Sequence, residues 1–243
     1  MWYKDVMKHN MKKWCGYAEE LTGYWVGQHF PRPIVALGKE LRTPYCSWCG
    51  QTDNGTICTC GNRSLSWSRV VRLGAYEPPL STSILHGKYS KWYEMLELLG
   101  SRLGQGVRGC VPPNAVVVAM PMSYIRWWFR GINHASVLAK FVAKSAGLHR
   151  RNLLLRKETP AQASMTASQR LLLRTKSIRP MPFVQLHGKP VVLVDDVLTT
   201  GRSLEVASKA LRRIGASTIT VAVVAVTNLP ERAKKVESVS FTP

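Results

Sequence analysis

Acidic side chains are scarce in this sequence: 14 Asp and Glu stand against 34 Lys and Arg, a formal net charge of +20. The surplus implies a polyanionic partner, a phosphate-rich ligand or simply a basic surface, and charge alone does not choose among them. Long apolar runs are missing as well. No stretch approaches the roughly 18 residues of a membrane span, and "MWYKDVMKHNMKKWCGYAEELTGYW" has charges but no apolar core ahead of a small-residue cleavage site. The expectation is therefore a cytoplasmic protein without membrane insertion. Internal repeats and low-complexity tracts are absent, which argues against a solenoid or a disordered chain. Cysteines number only six, and with 45% hydrophobic residues the chain can pack a core without many crosslinks.

Three regions are expected. Residues 1–42, rich in Lys and Trp, form an N-terminal extension with a loosely helical spacing of Trp2, Val6, Trp14 and Leu21. Residues 43–66 are dense in Cys, Gly and Thr, too small and polar to build a core by hydrophobic burial alone, so they need another staple. Residues 67–243 alternate strand and helix patterns. "SWSRVVRLGAY", "AVVVAMP", "KPVVLV" and "STITVAVVAV" read as strands. Leu80 to Leu103 reads as one helix carrying Ile84, Leu85, Trp92, Leu96, Leu99 and Leu103, and "GINHASVLAKFVAKSAGL" as another ending at Gly147. Strands that are apolar throughout and alternate with helices predict an α/β domain whose mostly parallel sheet is covered on both faces.

Within this pattern "KPVVLVDDVLTTGRSLEVASKALRRIG" puts two carboxylates, Asp195 and Asp196, at the end of an apolar run. In an open parallel sheet, ligands bind at the carboxyl ends of the strands. Thr199, Thr200, Gly201, Arg202 and Ser203 then supply small and hydroxylated residues at the start of a helix, where backbone N–H groups and the helix dipole can hold a phosphate. Carboxylates aimed at that phosphate would repel it, so they suit neutral hydroxyls one sugar away. Phosphate plus vicinal hydroxyls describes a ribose 5-phosphate. The alternative is that the two acids merely cap the next helix.

"VVLVDDVLTTGRS" resembles the phosphoribosyl pyrophosphate (PRPP) signature of type I phosphoribosyltransferases. "AMPMSYIRWWFRGINHASVLA" and "RKETPAQASMTASQR" resemble two further blocks of the ComF subgroup, linked to DNA uptake during competence. The resemblance spans about residues 44 to 226 and implies a type I phosphoribosyltransferase fold, preceded by a small zinc-ribbon-like segment. It implies that Asp195 and Asp196 bind the ribose hydroxyls and that Thr199 to Ser203 wrap the 5-phosphate. Met120, Pro121 and Met122, with Arg126, Arg130 and Gly131, would receive the pyrophosphate and its Mg²⁺; the alternative for "RWWFRG" is a basic, aromatic surface turn. Arg156, Lys157, Thr159 and Gln162 fall where the superfamily has a mobile loop that closes over substrate, with Arg156 or Lys157 offsetting charge on the leaving group. His86, Gly87, Lys88 and Tyr89 resemble a Lys-Tyr element, or are a solvated helix turn. The chain departs from the family pattern after Arg170, where "LLLRTKSIRPMPF" lacks an asparagine ahead of the phenylalanine.

"CSWCG" can turn the thiolates of Cys46 and Cys49 toward one metal, and "CTC" puts Cys58 and Cys60 on one side of an extended strand. Four sulfurs suit a closed tetrahedral Zn²⁺ whose binding is coupled to folding. Disulfides or inert thiols are the alternatives, and Cys15 or His29 could replace Cys58 or Cys60 as a ligand, because relatives commonly have C-x2-C at the second pair. Cys110 is expected to be an ordinary thiol. Three functions fit these features: a Mg²⁺-dependent phosphoribosyltransferase; a platform for single-stranded DNA, using basic charge with Trp127, Trp128 and Phe129 and working with the competence machinery; and a PRPP sensor without turnover.

Overall fold

Each of the four apolar runs becomes a strand of one parallel sheet in the computed structural model. The structure describes residues 43–53, 55, 58, 60, 64–89 (backbone alone at 86–89), 93–124, 127–128, 131–157 and 177–228. The expectations placed on residues 1–42, on Trp92 and on Thr159 and Gln162 lie outside them. In chain order the elements are β1 (Arg69–Ala75), α1 (Leu80–Tyr89), α2 (Tyr93–Arg108), β2 (Val116–Ala119), α3 (His134–Ala146), β3 (His149–Arg150), β4 (Leu154–Arg156), β5 (Ile178–Pro180), β6 (Val191–Leu198), α4 (Arg202–Arg213) and β7 (Ile219–Val226). Sheet order is β1-β7-β6-β2-β3, every pair parallel, while β4 and β5 form a separate antiparallel pair.

Strands β6 and β7 are apolar on both sides because both sides are covered. Val191 and Leu193 face one core with Leu204, Ala207 and Leu211 of α4, and Val192 and Val194 face the other with Leu99, Leu103, Leu138 and Val142 of α2 and α3. Helix α3 begins where Asn133 accepts a hydrogen bond from the Ser136 amide, and it stops at Gly147, whose φ of 71° is the left-handed conformation that glycine adopts without strain. Two helices, α1 and α2, replace the single helix expected from Leu80 to Leu103. Ile84, Leu96, Leu99 and Leu103 are buried as the spacing predicted, but Leu85 is exposed.

The order of strands fixes where a ligand can enter. From β2 the chain moves outward to β3, whereas from β6 it moves the opposite way to β7, so the switch point lies between β2 and β6. Their ladder ends where Ala119 pairs with Val194, and β6 runs on to Leu198 paired with β7 alone. The crevice above that point is flanked by the segment after β2 and by the loop between β6 and α4.

Helices α2 and α3 approach closely enough that a Cβ at Gly104 would lie 2.8 Å from the Val142 carbonyl oxygen and 2.8 Å from Ser145 Cβ. Backbone cannot yield as a flexible side chain can. Gly104→Ala is expected to destabilise the fold by about 1–3 kcal/mol, the usual cost of overpacking, read as a lower urea midpoint at unchanged m-value.

Candidate functional site

Asp195 and Asp196 lie within β6, where its β2 neighbour has already left the ladder, and both are half-buried. Asp195 Oδ1 accepts from the Asp196 amide at 3.0 Å and Asp196 Oδ1 from the Val197 amide at 2.7 Å, local bonds that orient each carboxylate. Neither caps the following helix. The capping position of α4 is Gly201, at φ 73°, with no side-chain cap hydrogen bond, so the capping alternative is not the arrangement adopted. Thr199, Thr200, Arg202 and Ser203 are all exposed around Gly201. The resulting loop offers hydroxyls and the N-terminus of a 12-residue helix to solvent beside two carboxylates.

Across the switch point, Met120, Pro121 and Met122 line a pocket of about 410 Å³ together with Tyr124, Trp127 and Arg156. The structure thus brings the expected pyrophosphate segment and Arg156, the last residue of β4, to one cavity. The Lys157 amide bonds the Ser177 carbonyl at 2.7 Å, just beyond the β4–β5 ladder. Gly131 is exposed at φ 72°, while Arg126 and Arg130 lie outside the described residues. Asn133 links this segment to α3, because its Nδ2 donates to the Met120 carbonyl at 3.3 Å while its Oδ1 serves the helix cap.

The four cysteines converge. Their sulfurs lie within 4.8 Å of one another, with Cys46 to Cys60 and Cys49 to Cys58 both at 3.5 Å. That spacing is far beyond the ~2.05 Å of a disulfide and suits four sulfurs around one ion at ~2.3 Å. The turn between Cys46 and Gly50 is closed by a Gly50 amide to Cys46 carbonyl bond at 2.8 Å. Burial opposes a thiolate at Cys46, but the Cys49 and Trp48 amides and the Cys60 and Cys49 thiols outweigh it and draw its pKa down to about 7. Burial and the Cys58 thiol push Cys49 up to about 11, and burial with its three cysteine neighbours pushes Cys60 upward too. Four converging thiolates repel one another unless a cation joins them, and the donor set is that of a closed structural metal site. Cys58 and Cys60 both belong to the cluster; Cys15 and His29 lie outside the described residues. Cys110 is half-buried against the core on the α2–α3 side of the sheet.

Some residues that position these groups carried no sequence signal of their own. Gly50, at φ 78°, sits where a Cβ would fall 2.9 Å from side-chain carbons of Val70 and Val226, so the cysteine turn rests directly on β1 and β7. Arg72 of β1 is only 5% exposed; its Nη2 donates to Thr52 Oγ1 at 3.0 Å and its guanidinium lies 4.9 Å from the Tyr45 ring centroid. Burial lowers its pKa, while Tyr45, Cys49 and Glu77 act the other way through their charge. Among the described residues its Nε and Nη1 have no hydrogen-bond partner.

The phosphoribosyl transferase domain model matches residues 135–242, from α3 through β7. Competence protein F of Haemophilus influenzae is 29% identical over 195 residues, covering 75% of this chain and 85% of that protein. The chain is similar to competence protein F and, over residues 135–242, to the phosphoribosyl transferase domain. Another relative, DNA utilization protein YhgH of Escherichia coli O6:H1, is 29% identical over 193 residues, covering 72% of this chain and 81% of that protein. Purine phosphoribosyltransferase from Pyrococcus horikoshii overlays with a TM-score of 0.34 at 20% identity, over 57% of this chain and 78% of the other. With its five-stranded parallel sheet, the chain has the type I phosphoribosyltransferase fold, and its cysteine cluster precedes β1. Among the described residues no helix is long and apolar enough to cross a membrane.

Purified protein is expected to carry one metal ion per chain, and Cys49→Ser is expected to lose it together with thermal stability, measured by elemental analysis and calorimetry on the same sample. Wild-type protein without metal, or Cys49→Ser with full metal and unchanged unfolding, would contradict the four-sulfur site.

Proposed function

We propose that the chain binds PRPP, or its ribose 5-phosphate product, at the carboxyl end of β6. The observation that carries this is the pair Asp195 and Asp196 at the switch point, followed within one loop by Gly201 and the exposed Thr199, Thr200, Arg202 and Ser203 at the head of α4. The carboxylates accept hydrogen bonds from the two ribose hydroxyls, and the loop amides and hydroxyls hold the 5-phosphate. Met120, Pro121 and Met122, with Arg126, Arg130 and Gly131, receive the diphosphate. Asp195 and Asp196 are the carboxylates that would hold Mg²⁺ at this site, where the ion would supply charge neutralisation to the diphosphate. In turnover, pyrophosphate leaves the anomeric carbon as an acceptor nitrogen enters from the opposite face. Arg156 and Lys157 are then the cations that meet the departing charge. Zinc is the ion proposed for Cys46, Cys49, Cys58 and Cys60, in a structural role. The names of the relatives, competence protein and DNA utilization protein, support a place in DNA uptake, and the free thiols suit a reducing cytoplasm.

A second reading, binding of single-stranded DNA without turnover, is favoured by one observation. Tyr124, Trp127 and Trp128 are 65%, 45% and 48% exposed, and the Tyr124 ring lies 5.8 Å and 6.4 Å from the two indoles. Large aromatics left in water beside a basic chain suit base stacking. Binding of this kind is expected to weaken steeply with salt and to survive Asp196→Asn, measured by fluorescence anisotropy with a labelled oligonucleotide. Affinity that stays flat between low and moderate salt would exclude it.

Calorimetric titration of PRPP with Mg²⁺ tests the first reading. Asp196→Asn keeps size but loses a charged acceptor, and is expected to weaken binding by about 1–3 kcal/mol. Gly201→Val is expected to bind worse still, because a branched side chain is strained at φ 73° and its Cβ would meet the Trp67 ring at 3.0 Å. Wild-type protein that ignores millimolar PRPP while binding DNA would sink the ribose-phosphate reading.

A further inference from the structure

The cysteine cluster and the phosphate loop are joined by a short series of direct contacts. Trp48 lies between Cys46 and Cys49, and its backbone N–H faces the Cys46 sulfur. Its carbonyl accepts a hydrogen bond from the Trp67 indole Nε1 at 3.0 Å. Trp67 is buried, 3% exposed, and its ring edge lies against Gly201, where a Cβ would fall 3.0 Å from Trp67 Cη2. Gly201 in turn starts α4 and accepts from the Glu205 amide at 2.8 Å. The preceding residue grips the same turn: the Ser66 amide and hydroxyl donate to the Glu205 carboxylate at 2.9 Å and 2.6 Å.

We propose that Trp67 is a positioning residue that ties the phosphate loop to the metal knuckle, so that metal held by the four cysteines and ribose 5-phosphate held by the loop favour each other. This rests on the ribose-phosphate reading above. The physical argument has two steps. With an ion bound, the Cys46–Cys49 turn has one geometry, and the Trp48 carbonyl holds the indole in one place. Without the ion, the thiols no longer need to converge, the carbonyl is free to shift, and the ring that sets the floor under Gly201 shifts with it. A phosphate cradle built from backbone amides depends on their placement to a fraction of an ångström, so it binds best when the floor is fixed. Linkage then requires the converse, that ligand in the loop strengthens retention of the metal by the same factor.

The test uses the full metal-loaded chain. Zinc release to a metallochromic chelator is followed with and without saturating ribose 5-phosphate, and ligand binding is measured by calorimetry on the same preparation. Ribose 5-phosphate is expected to reduce zinc transfer at equilibrium by about fivefold or more, the low end of ordinary site-to-site coupling. Trp67→Phe loses the indole donor and the outer ring, and its ratio is expected to fall toward one while zinc and ligand binding each remain measurable. Wild-type protein that binds ribose 5-phosphate yet yields zinc equally with and without it would overturn the coupling and leave the ribose-phosphate reading intact. Protein that keeps zinc but binds no ribose 5-phosphate would overturn both. An undiminished ratio in folded Trp67→Phe would remove Trp67 from the role.

Discussion

The ladder between β2 and β6 stops at Ala119 and Val194, and most of what is distinctive about the site follows from that stop. Up to Val194 each residue of β6 has a strand on both sides and a helical layer on both faces, an environment that admits only apolar side chains. One residue later the β2 side is open, and the chain can carry two carboxylates while β7 still holds the backbone straight. A strand that ended with its neighbour would have placed the acids in a mobile turn. Because β6 continues to Leu198, the acids stand on a rigid element and the flexible part is confined to the few residues around Gly201. The diverging segment after β2 is fixed in its turn by Asn133, whose one amide group serves both the Met120 carbonyl and the cap of α3.

The cysteine segment depends on the sheet in a different way. Having little apolar area of its own, it borrows a surface: Gly50 sits on Val70 and Val226, Gln51 Nε2 donates to the Thr227 carbonyl at 3.0 Å, and Thr52 Oγ1 meets Asn228 Oδ1 at 3.1 Å. Arg72 lies beneath this seam. A buried guanidinium with one hydrogen bond among the described residues is costly alone, but next to a cluster whose sulfurs would turn anionic on binding a metal it would supply compensating charge. The described part of the segment therefore behaves as a layer added to the domain, and all of it belongs to one compact unit, Leu37–Pro243.

How much of this could be read from residues alone depended on the range of the contacts involved. Continuous apolar runs such as "VVLV" and "ITVAVVAV" identified central strands, because burial on two faces leaves a local trace in composition. Gly147 marked the end of α3 for an equally local reason. The acid pair stood out because two carboxylates at the end of a buried strand are costly unless a ligand engages them, and the C-x2-C turn because its spacing aims two sulfurs at one point. Distance along the chain hid the rest. Strands β4 and β5 are three residues each and pair across a long intervening segment, so no periodicity could announce them. Trp67 falls within the strand pattern "SWSRVVRLGAY" with no sign of a role of its own, since its partners Trp48 and Gly201 lie 19 and 134 positions away. The extent of β6 past Val194 was likewise set by its pairing with β7, which the side chains of Asp195 and Asp196 do not signal. The break between α1 and α2 escaped a hydrophobic spacing that runs through both.

Strand β1 lies at the rim of the sheet, paired with β7 on one side only. On its other side the Val70 amide bonds the Ser47 carbonyl at 2.7 Å, so the turn between the first two cysteines occupies the edge. An uncovered edge strand with the buried, apolar character of Val70, Val71 and Leu73 is a template for pairing with another chain. The cysteine turn is therefore also a guard against self-association: a chain in which that turn opened would bare a sticky rim.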